Sequence, residues 1–266
     1  MQTSNKDLPM EIFDHLAGVP GVVHGVFSRQ GGVSPAPWDQ LNLGMNTGDD
    51  VDRVTENRRR LLARLADGTP MLNRAFFVNQ VHGDDVLVLR QGNRELEDFW
   101  APGRQRPGHQ ADAMVTDEPH LALVIQVADC QAVLLADPVN RVVAAVHSGW
   151  RGSVSNIIGK TVATMAKCFQ CQPENILAGV GPSLGPCCAE FIHYRDEIPP
   201  SLWKYKDKEK DYFDFWALSR DQLAQAGVLK KNMGFSHCCT RCKSSQYFSY
   251  RKQQVTGRFG AAISLV

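Results

Sequence analysis

The sequence lacks a marked excess of charge of either sign, and it lacks a long hydrophobic run. Its 266 residues include 29 Lys and Arg against 28 Asp and Glu, a formal net charge of +1. Domains that bind nucleic acids usually carry a basic excess. The most apolar stretch, residues 121–136, is interrupted by Gln126, Asp129 and Gln131, so it does not offer the ~20 apolar residues of a membrane helix. We therefore expect no nucleic-acid partner and no membrane association.

Signal-peptide features are also missing, because no basic segment followed by an apolar one opens the sequence. We therefore expect a cytoplasmic protein, in which the 8 cysteines serve as thiols, metal ligands or nucleophiles rather than disulfides. The 8 histidines are too few for the several centres of a multicopper oxidase, but they suffice for one mononuclear metal site. Copper is therefore not an expected cofactor.

The chain contains neither a repeat of fixed period nor a low-complexity segment. Apolar periodicity predicts helices over 51–66, 154–169 and 216–226. Short apolar runs predict strands over 22–28, 75–79, 85–89, 121–127, 132–137, 142–146, 174–179, 247–250 and 259–266. This alternation indicates a single α/β (α+β) domain over residues 1–266, with a mixed β-sheet and flanking helices. The oligomeric state is not determined by the sequence, and a monomer is the simplest expectation.

Three residues with metal-binding side chains each lie where a predicted strand meets a tight turn: His82, Cys130 and His147. A polar side chain at the end of a buried strand is unfavourable unless it is paired or used. Two imidazoles and a thiolate suit zinc, and three protein ligands leave a fourth position open for water or substrate. The pattern predicts a catalytic zinc site. A core cysteine, a hydrogen-bonded histidine and a surface histidine would give the same pattern.

A set of short motifs follows in order along nearly the whole chain. They are FSRQGGVS at 27–34, LNLG at 41–44, ENRRRL at 56–61, NQVHG at 79–83, ADC at 128–130, VHSGWRG at 146–152, GPSLGPCC at 181–188, FSYR at 248–251 and TGR at 256–258. The ordered set resembles the YfiH family, long labelled multicopper polyphenol oxidases or laccase-domain proteins.

The resemblance implies an α/β fold related to the deamidase domains of CNF-type bacterial toxins, and a zinc ion held by His82, Cys130 and His147. It also implies an enzyme that phosphorolyses adenosine, inosine and methylthioadenosine and deaminates adenosine. One bacterial branch of the family is described as editing peptidoglycan precursors, by hydrolysis of a nucleotide-activated muramyl amino acid. The chain has Val127 and Ala132 where many relatives have Thr and Pro, and these changes affect the expected pocket wall rather than the metal ligands.

Candidate phosphate-binding residues are arginines within two residues of a glycine in the motif loops. These are Arg29, Arg151 and Arg258. Phosphorolysis requires phosphate beside the anomeric carbon, and cations hold phosphate well. Deamination instead requires activated water, which zinc supplies by lowering the pKa of a bound water to about 7. A surface position or a carboxylate partner is an equal alternative for each arginine.

Three polar residues complete the predicted site. Asn46 and Gln80 are candidates for hydrogen bonds to a base or ribose, although stabilising a loop explains them as well. Asp129, next to Cys130, is a candidate for orienting a metal-bound histidine. A side chain that stabilises the turn is an equal explanation for Asp129.

Two pairs of cysteines, 168 with 171 and 239 with 242, match half of a four-thiolate zinc pattern each. Their separation is far longer than the roughly 15–20 residues of a compact zinc ribbon, and the first pair ends a predicted helix. We therefore expect no structural zinc there. Cys187, Cys188, Cys238 and Cys239 are expected to be core thiols or accidental neighbours.

Three other functions remain open. Cys130 could be a nucleophile activated by His147, as in the related toxin deamidases, and His82 and a metal would then be dispensable. The peptidoglycan-precursor hydrolase uses the same residues, and nothing in the sequence separates it from the purine enzyme. A catalytically idle, partner-binding relative would be expected to lose a ligand, whereas all three are present.

Overall fold

Two β-sheets pack face to face at the centre of the protein. The computed structural model describes residues 8–66, 72, 74–90, 92 and 109–266. Its strands are β1 (Met10–Glu11), β2 (Val22–Phe27), β3 (Arg74–Phe77), β4 (Val86–Leu89), β5 (Ala113–Thr116), β6 (Leu121–Val127), β7 (Gln131–Asp137), β8 (Val142–Ser148), β9 (Leu177–Val180), β10 (Met233–Phe235) and β11 (Phe259–Leu265). Its α-helices are α1 (Asp14–Ala17), α2 (Val51–Leu65), α3 (Trp150–Val154), α4 (Ile157–Phe169), α5 (Tyr194–Glu197) and α6 (Phe215–Gln225). Short 3-10 helices cover Pro173–Asn175, Pro200–Tyr205 and Lys230–Asn232.

Both sheets contain parallel and antiparallel pairs. The five-stranded sheet has the order β1-β2-β11-β6-β3, and the six-stranded sheet has the order β10-β9-β7-β8-β5-β4. In the first sheet β3 runs parallel to β6, whereas β11 is antiparallel to it. In the second sheet β7 is antiparallel to both of its neighbours. The predicted α/β class with mixed strand pairing is confirmed, although the strands form two sheets rather than one.

Alternate side chains along each strand serve different layers, as strand geometry requires. In β7, Leu134 points into the core between the sheets, while Val133 and Leu135 pack against α4 and α6. In β6, Leu123 joins the same central core, and Val124 packs under α2. The result is a helix–sheet–sheet–helix arrangement. Strands covered on both faces are largely apolar, which explains why β6, β7 and β8 are evident in the sequence.

The segment between β6 and β7 passes from one sheet to the other. Only residues 128–130 separate the two strands, so Cys130 lies at this crossing. β7 pairs with β8 in a register that sets Ala132 opposite His147. The proximity of Cys130 and His147 at the ends of neighbouring strands follows directly from this pairing.

Several predicted elements differ from the observed ones. The predicted helix 154–169 begins only at Ile157, as α4, because Asn156 adopts a left-handed conformation and its side chain caps α4. Val154 instead ends the separate short helix α3. The predicted strand 247–250 has no regular secondary structure, and β1, β5 and β10 were not predicted. Most of the predicted surface loop 91–110 lies outside the described residues. Among the helices of the described residues, none combines the length and apolar character needed to cross a bilayer.

Candidate active site

His82, Cys130 and His147 come together although they derive from three separate parts of the chain. Their ligand atoms all lie within 4.8 Å of one another, and the two imidazole rings meet edge to face with centroids 4.8 Å apart. Below, these residues are called the His–Cys–His cluster. His82 is on a turn after β3, Cys130 is on the crossing between the sheets, and His147 is near the end of β8. The fold therefore assembles the three residues that the sequence analysis selected.

A fully buried carboxylate, that of Asp112, orients both histidines. Its Oδ1 accepts a 2.6 Å hydrogen bond from Nδ1 of His147, which leaves Nε2 as the free ligand atom of that ring. The same carboxylate accepts backbone N–H bonds from Val81, His82 and Gly83 at 3.2, 3.0 and 2.6 Å. These bonds hold His82 in its left-handed conformation, with φ of 60°. Asp112 is therefore placed like the carboxylates that commonly accept a hydrogen bond from a metal-binding histidine.

The charges in the cluster favour a thiolate. Burial alone would raise the pKa of Cys130, but His147 and His82 more than offset it and lower the pKa to about 6. Burial alone would lower the pKa of His147, yet the Cys130 thiolate and Asp112 raise it to about 9. An ionised cysteine next to a carboxylate-supported histidine is suited both to metal binding and to nucleophilic attack.

A metal ion fits this donor set. Gly149 lies against the cluster, and a Cβ atom at that position would come within 3.0 Å of His82 Cδ2 and 3.2 Å of Cys130 Sγ. Because glycine has no Cβ, the space beside the donor atoms stays open. Two imidazoles and one thiolate are a ligand set that zinc accepts while keeping a fourth position open. The donor set and the open space beside it therefore suit a metal ion.

The cluster lies on the wall of a cavity of about 1120 Å³, above the usual range of small-molecule sites. Four arginines line it, and among the described lining residues Asp129 is the one carboxylate. The arginines are Arg58, Arg151, Arg251 and Arg258. Aromatic side chains contribute the flat surfaces of the wall. They are Phe77, Trp150, Phe191, Phe215 and Tyr250. The cavity therefore combines cationic side chains with faces on which a planar ring can stack.

Four of the five predicted substrate residues line this cavity: Asn46, Gln80, Arg151 and Arg258. Arg151 lies over the ring of Trp150 at 4.2 Å from its centroid. Both polar atoms of the Gln80 amide bond the backbone of Gln126, so Gln80 joins two strand ends rather than offering a free amide. One guanidinium nitrogen of Arg258 donates to two backbone carbonyls at 3.0 Å.

Arg29, the fifth predicted substrate residue, does not line the cavity. Its guanidinium donates to the backbone and the carboxylate of Asp39 and to the carbonyl of Ser244, and it covers the ring of Phe248. Arg29 therefore does not have the predicted phosphate-binding role; it holds the loops of Asp39 and Ser244 together. The sequence signal was the glycine pair after Arg29, and that pair here allows close packing: a Cβ on Gly32 would come within 2.1 Å of the Gln40 carbonyl.

Asp129 also differs from its predicted role. Its carboxylate accepts 2.6 Å hydrogen bonds from the Thr240 hydroxyl and the Arg251 amide, so it joins the crossing to a distant loop. The carboxylate that reaches His147 belongs to Asp112, which the sequence analysis missed. An acidic residue directly before the apolar run 113–115 was the available signal, because it places a charge at the end of a buried strand.

Four cysteines form a second group of possible ligands. The Sγ atoms of Cys187, Cys188, Cys239 and Cys242 lie within 4.8 Å of one another. This four-cysteine cluster corrects the expected pairing, because the pair 239 and 242 meets 187 and 188 rather than 168 and 171. Of the four residues expected to be core thiols or accidental neighbours, Cys187, Cys188 and Cys239 belong to the cluster, and Cys238 packs against the central core. Cys171 instead belongs to the core under α4.

Comparison with known proteins agrees with the fold and the site. The sequence profile described as multi-copper polyphenol oxidoreductase laccase matches residues 23–266. The chain is 35% identical over 254 residues to the purine nucleoside phosphorylase YfiH of Shigella flexneri, covering 92% of this chain and 95% of that protein. The chain belongs to the YfiH family. A purine nucleoside phosphorylase of Streptomyces coelicolor is 37% identical over 251 residues, covering 93% of this chain and 97% of that protein.

Solved structures of YfiH-family members share the architecture. The crystal structure of the Bacillus licheniformis protein YfiH superimposes with a TM-score of 0.81 at 29% identity, covering 92% of this chain and 93% of that one. YlmD from Geobacillus stearothermophilus gives 0.80 at 30% identity, covering 93% of both chains. The two-sheet fold described above is therefore that of the family.

Proposed function

We propose that this chain is a metal-dependent purine nucleoside enzyme whose principal reaction is phosphorolysis. The observation that carries the proposal is the position of the His–Cys–His cluster on the wall of a cationic, aromatic-lined cavity. The relatives named purine nucleoside phosphorylase support the substrate class. In the reaction a phosphate oxygen bonds the anomeric carbon, the glycosidic bond breaks, and the purine leaves with the bonding electrons and takes up a proton.

The residues of the cavity suit both substrates. Arg151 and Arg258 line the cavity, and in the proposed reaction their guanidinium groups hold phosphate beside the ribose. Arg58 and Arg251 line the same cavity, so the site carries more positive than negative charge. The aromatic wall, with Trp150 next to the cluster, suits the purine ring. The volume exceeds that of a typical single-ligand site, which leaves space for nucleoside and phosphate together.

The proposed metal is one zinc ion held by His82, Cys130 and His147. Zinc with three protein ligands supplies a Lewis acid that polarises a substrate atom or activates water, the property that deamination of adenosine would use. Asp112 keeps His147 in the tautomer that a metal ligand needs. Of the 8 histidines, 2 belong to a group of possible ligands, so the ligand set supports one mononuclear site rather than several copper centres.

A second candidate is a cysteine nucleophile without a metal. The observation in its favour is the row of Cys130, His147 and Asp112, in which the pKa of the thiol is lowered to about 6. Such a row matches the nucleophile, base and orienting group of thiol hydrolases. His82 has no place in that mechanism, although its ligand atom lies within 4.8 Å of the others. The role of His82 therefore separates the two candidates.

The deciding experiment incubates the purified protein with adenosine and phosphate, with and without a chelator. Adenine with ribose 1-phosphate indicates phosphorolysis, and inosine indicates deamination. We expect chelator and His82→Ala each to remove turnover, and we expect His193→Ala, a change at an exposed histidine outside the cavity, to leave it intact. Full activity of His82→Ala in the presence of chelator would favour the cysteine nucleophile. If neither product forms, the nucleotide-activated muramyl amino acid is the next substrate to assay.

A further inference from the structure

The four-cysteine cluster has the dimensions of a tetrahedral metal site. The Sγ atom of Cys242 lies 3.7 Å from that of Cys187 and 3.6 Å from that of Cys188. A zinc ion bound to four thiolates at about 2.3 Å places its sulfur atoms about 3.8 Å apart. All four sulfur atoms lie within 4.8 Å of one another. The two separations from Cys242 Sγ are close to this value, and no separation among the four sulfur atoms exceeds it by more than about 1 Å.

We propose that Cys187, Cys188, Cys239 and Cys242 bind a structural zinc ion, separate from the His–Cys–His cluster. Four thiolates complete a tetrahedron and leave no position for substrate, which is the arrangement of structural zinc sites. Binding releases the thiol protons to solvent, and no oxidant or reductant is needed. The inference does not depend on the proposed purine activity.

Disulfides explain the arrangement less well. The bond between two disulfide sulfur atoms is about 2.05 Å long, well below the separations of Cys242 from Cys187 and Cys188. Cys242 is nearly equidistant from these two residues, whereas a disulfide would join it to one of them. Core packing is also a poor explanation, since Cys187 and Cys242 are exposed and none of the four lies in the apolar clusters of the described residues.

Hydrogen-bond donors surround the sulfur atoms, as they do around zinc-bound thiolates. The backbone N–H of Gly185 points to Cys239 Sγ at 3.4 Å. A guanidinium nitrogen of Arg241 lies 3.6 Å from Cys188 Sγ. Zinc with four thiolates carries a net negative charge, so a cationic side chain in contact with a ligand favours the bound state.

A zinc ion here would fasten two loops that support the active site. The loop after β9 and the loop after β10 meet at a bridge between Ser183 and Cys239. From these loops Leu184 donates its backbone N–H to the Asp129 carbonyl at 2.8 Å, and the Thr240 hydroxyl donates to the Asp129 carboxylate. Asp129 precedes Cys130 in the chain. The proposed ion therefore stabilises the segment that carries the thiolate of the His–Cys–His cluster.

Metal analysis of single and double variants tests the proposal without any activity assay. Cys187 and Cys242 are exposed, so their replacement by serine removes a ligand with little loss of packing. In a Cys130→Ala protein, which lacks a ligand of the first cluster, we expect one zinc per chain. Adding Cys242→Ser or Cys187→Ser should reduce this to none. Adding Cys168→Ser, at a free cysteine outside both clusters, should leave one.

Cobalt substitution gives a second readout that does not depend on variant folding. In the otherwise unchanged protein, cobalt at four thiolates should give intense thiolate-to-metal charge-transfer absorption, which two imidazoles and one thiolate cannot match. A mass lower by two hydrogens and reversed by reductant would replace the proposal with a disulfide. One iron per chain at this site would overturn the assignment to zinc. If all four thiols of the zinc-loaded protein react with a thiol reagent as fast as free thiols do, a metal bound to them is excluded.

Discussion

The His–Cys–His cluster and the four-cysteine cluster contain similar donor atoms in opposite settings. The first has three donors on the wall of a large cavity, and Gly149 keeps the space beside them open. The second has four donors whose sulfur atoms all lie within 4.8 Å of one another. The first is backed by a buried carboxylate, whereas the second contacts an amide and a guanidinium group. Donor number and surroundings, rather than donor type, thus distinguish the proposed catalytic site from the proposed structural site.

The supporting elements differ in the same way. Sheet pairing fixes His147 relative to Cys130, so the first cluster inherits the rigidity of β7 and β8. The four-cysteine cluster joins loops that have few regular backbone ladders of their own. In that setting a metal ion contributes more to the fold, because it replaces contacts that a sheet would supply.

The largest expected effect comes from Asp112→Asn. The amide cannot accept every backbone N–H bond that the carboxylate accepts, and it no longer offers a charge to His147. We expect metal affinity at the first cluster to fall about 10- to 100-fold, with turnover falling in parallel. The free energy of unfolding should fall by about 3 kcal/mol, because a buried charged partner is lost. Competition with a chromophoric chelator and denaturant unfolding measure the two quantities.

Asp137→Asn is the matched control for that change. Asp137 is also a buried carboxylate that accepts backbone N–H bonds, from Val139 and Asn140, but it serves a turn distant from both clusters. The Asp137→Asn protein should have a lower free energy of unfolding but an unchanged metal affinity at the His–Cys–His cluster. Equal loss of metal from both variants would mean that Asp112 acts through the fold alone.

Acid should lower the free energy of unfolding through His24, by an amount close to that expected for Asp112→Asn. Burial, and secondarily the charge of His15, lower the pKa of His24 to about 4, and its Nε2 accepts the Phe13 N–H. Between pH 6.5 and 4 the unfolded chain therefore binds more protons than the folded one, so stability falls as the pH falls. The loss is at most about 3 kcal/mol and is complete near pH 4.

Acid also protonates metal ligands and releases metal from the two clusters. The titration of His24 must therefore be measured separately from this loss of metal. His24→Gln keeps a hydrogen-bond acceptor and removes the titration. Denaturant unfolding of the metal-free protein at pH 7 and pH 4.5 should show a smaller difference for the variant than for the unchanged protein. Identical differences would place the acid sensitivity elsewhere in the chain.

Sequence patterns predicted the first cluster and missed the second for physical reasons. His82, Cys130 and His147 each follow an apolar strand, and a polar group at that point demands an explanation. Cys187 and Cys242 lie on loops, where burial gives no such contrast, and their partner in space cannot be inferred from a spacing of 55 residues. Arg29 was misassigned because a glycine beside an arginine allows close approach by backbone as well as by ligand. The two-sheet division followed from pairings such as β6 with β11, which no local pattern encodes.

Gly149→Ala should have an intermediate effect confined to the first cluster. The backbone of Gly149 has an ordinary φ of −75°, so alanine costs nothing in conformation there. Its Cβ would press on His82 and on Cys130, at 3.0 and 3.2 Å. We expect metal affinity to fall about tenfold, since overpacking costs at least about 1 kcal/mol. Gly18→Ala, whose Cβ would meet nothing closer than 3.7 Å, is the control. Unchanged metal affinity would show that the turn carrying His82 moves away from the added Cβ atom at little cost in free energy.

Arg241→Gln should have the smallest effect, confined to the four-cysteine cluster. Arg241 is exposed, and its contact with Cys188 Sγ is screened by water. Loss of the charge should speed zinc removal from that cluster by chelator about twofold to fivefold, as followed by a zinc-sensitive dye. Arg241→Lys keeps the charge and should lie between the two proteins. If Arg241 acts through its charge on Cys188, zinc release from the His–Cys–His cluster should stay unchanged in both variants. A structural contribution of Arg241 would instead change zinc release from both clusters. A parallel change there would mean that the loops, rather than the charge on the thiolate, carry the effect.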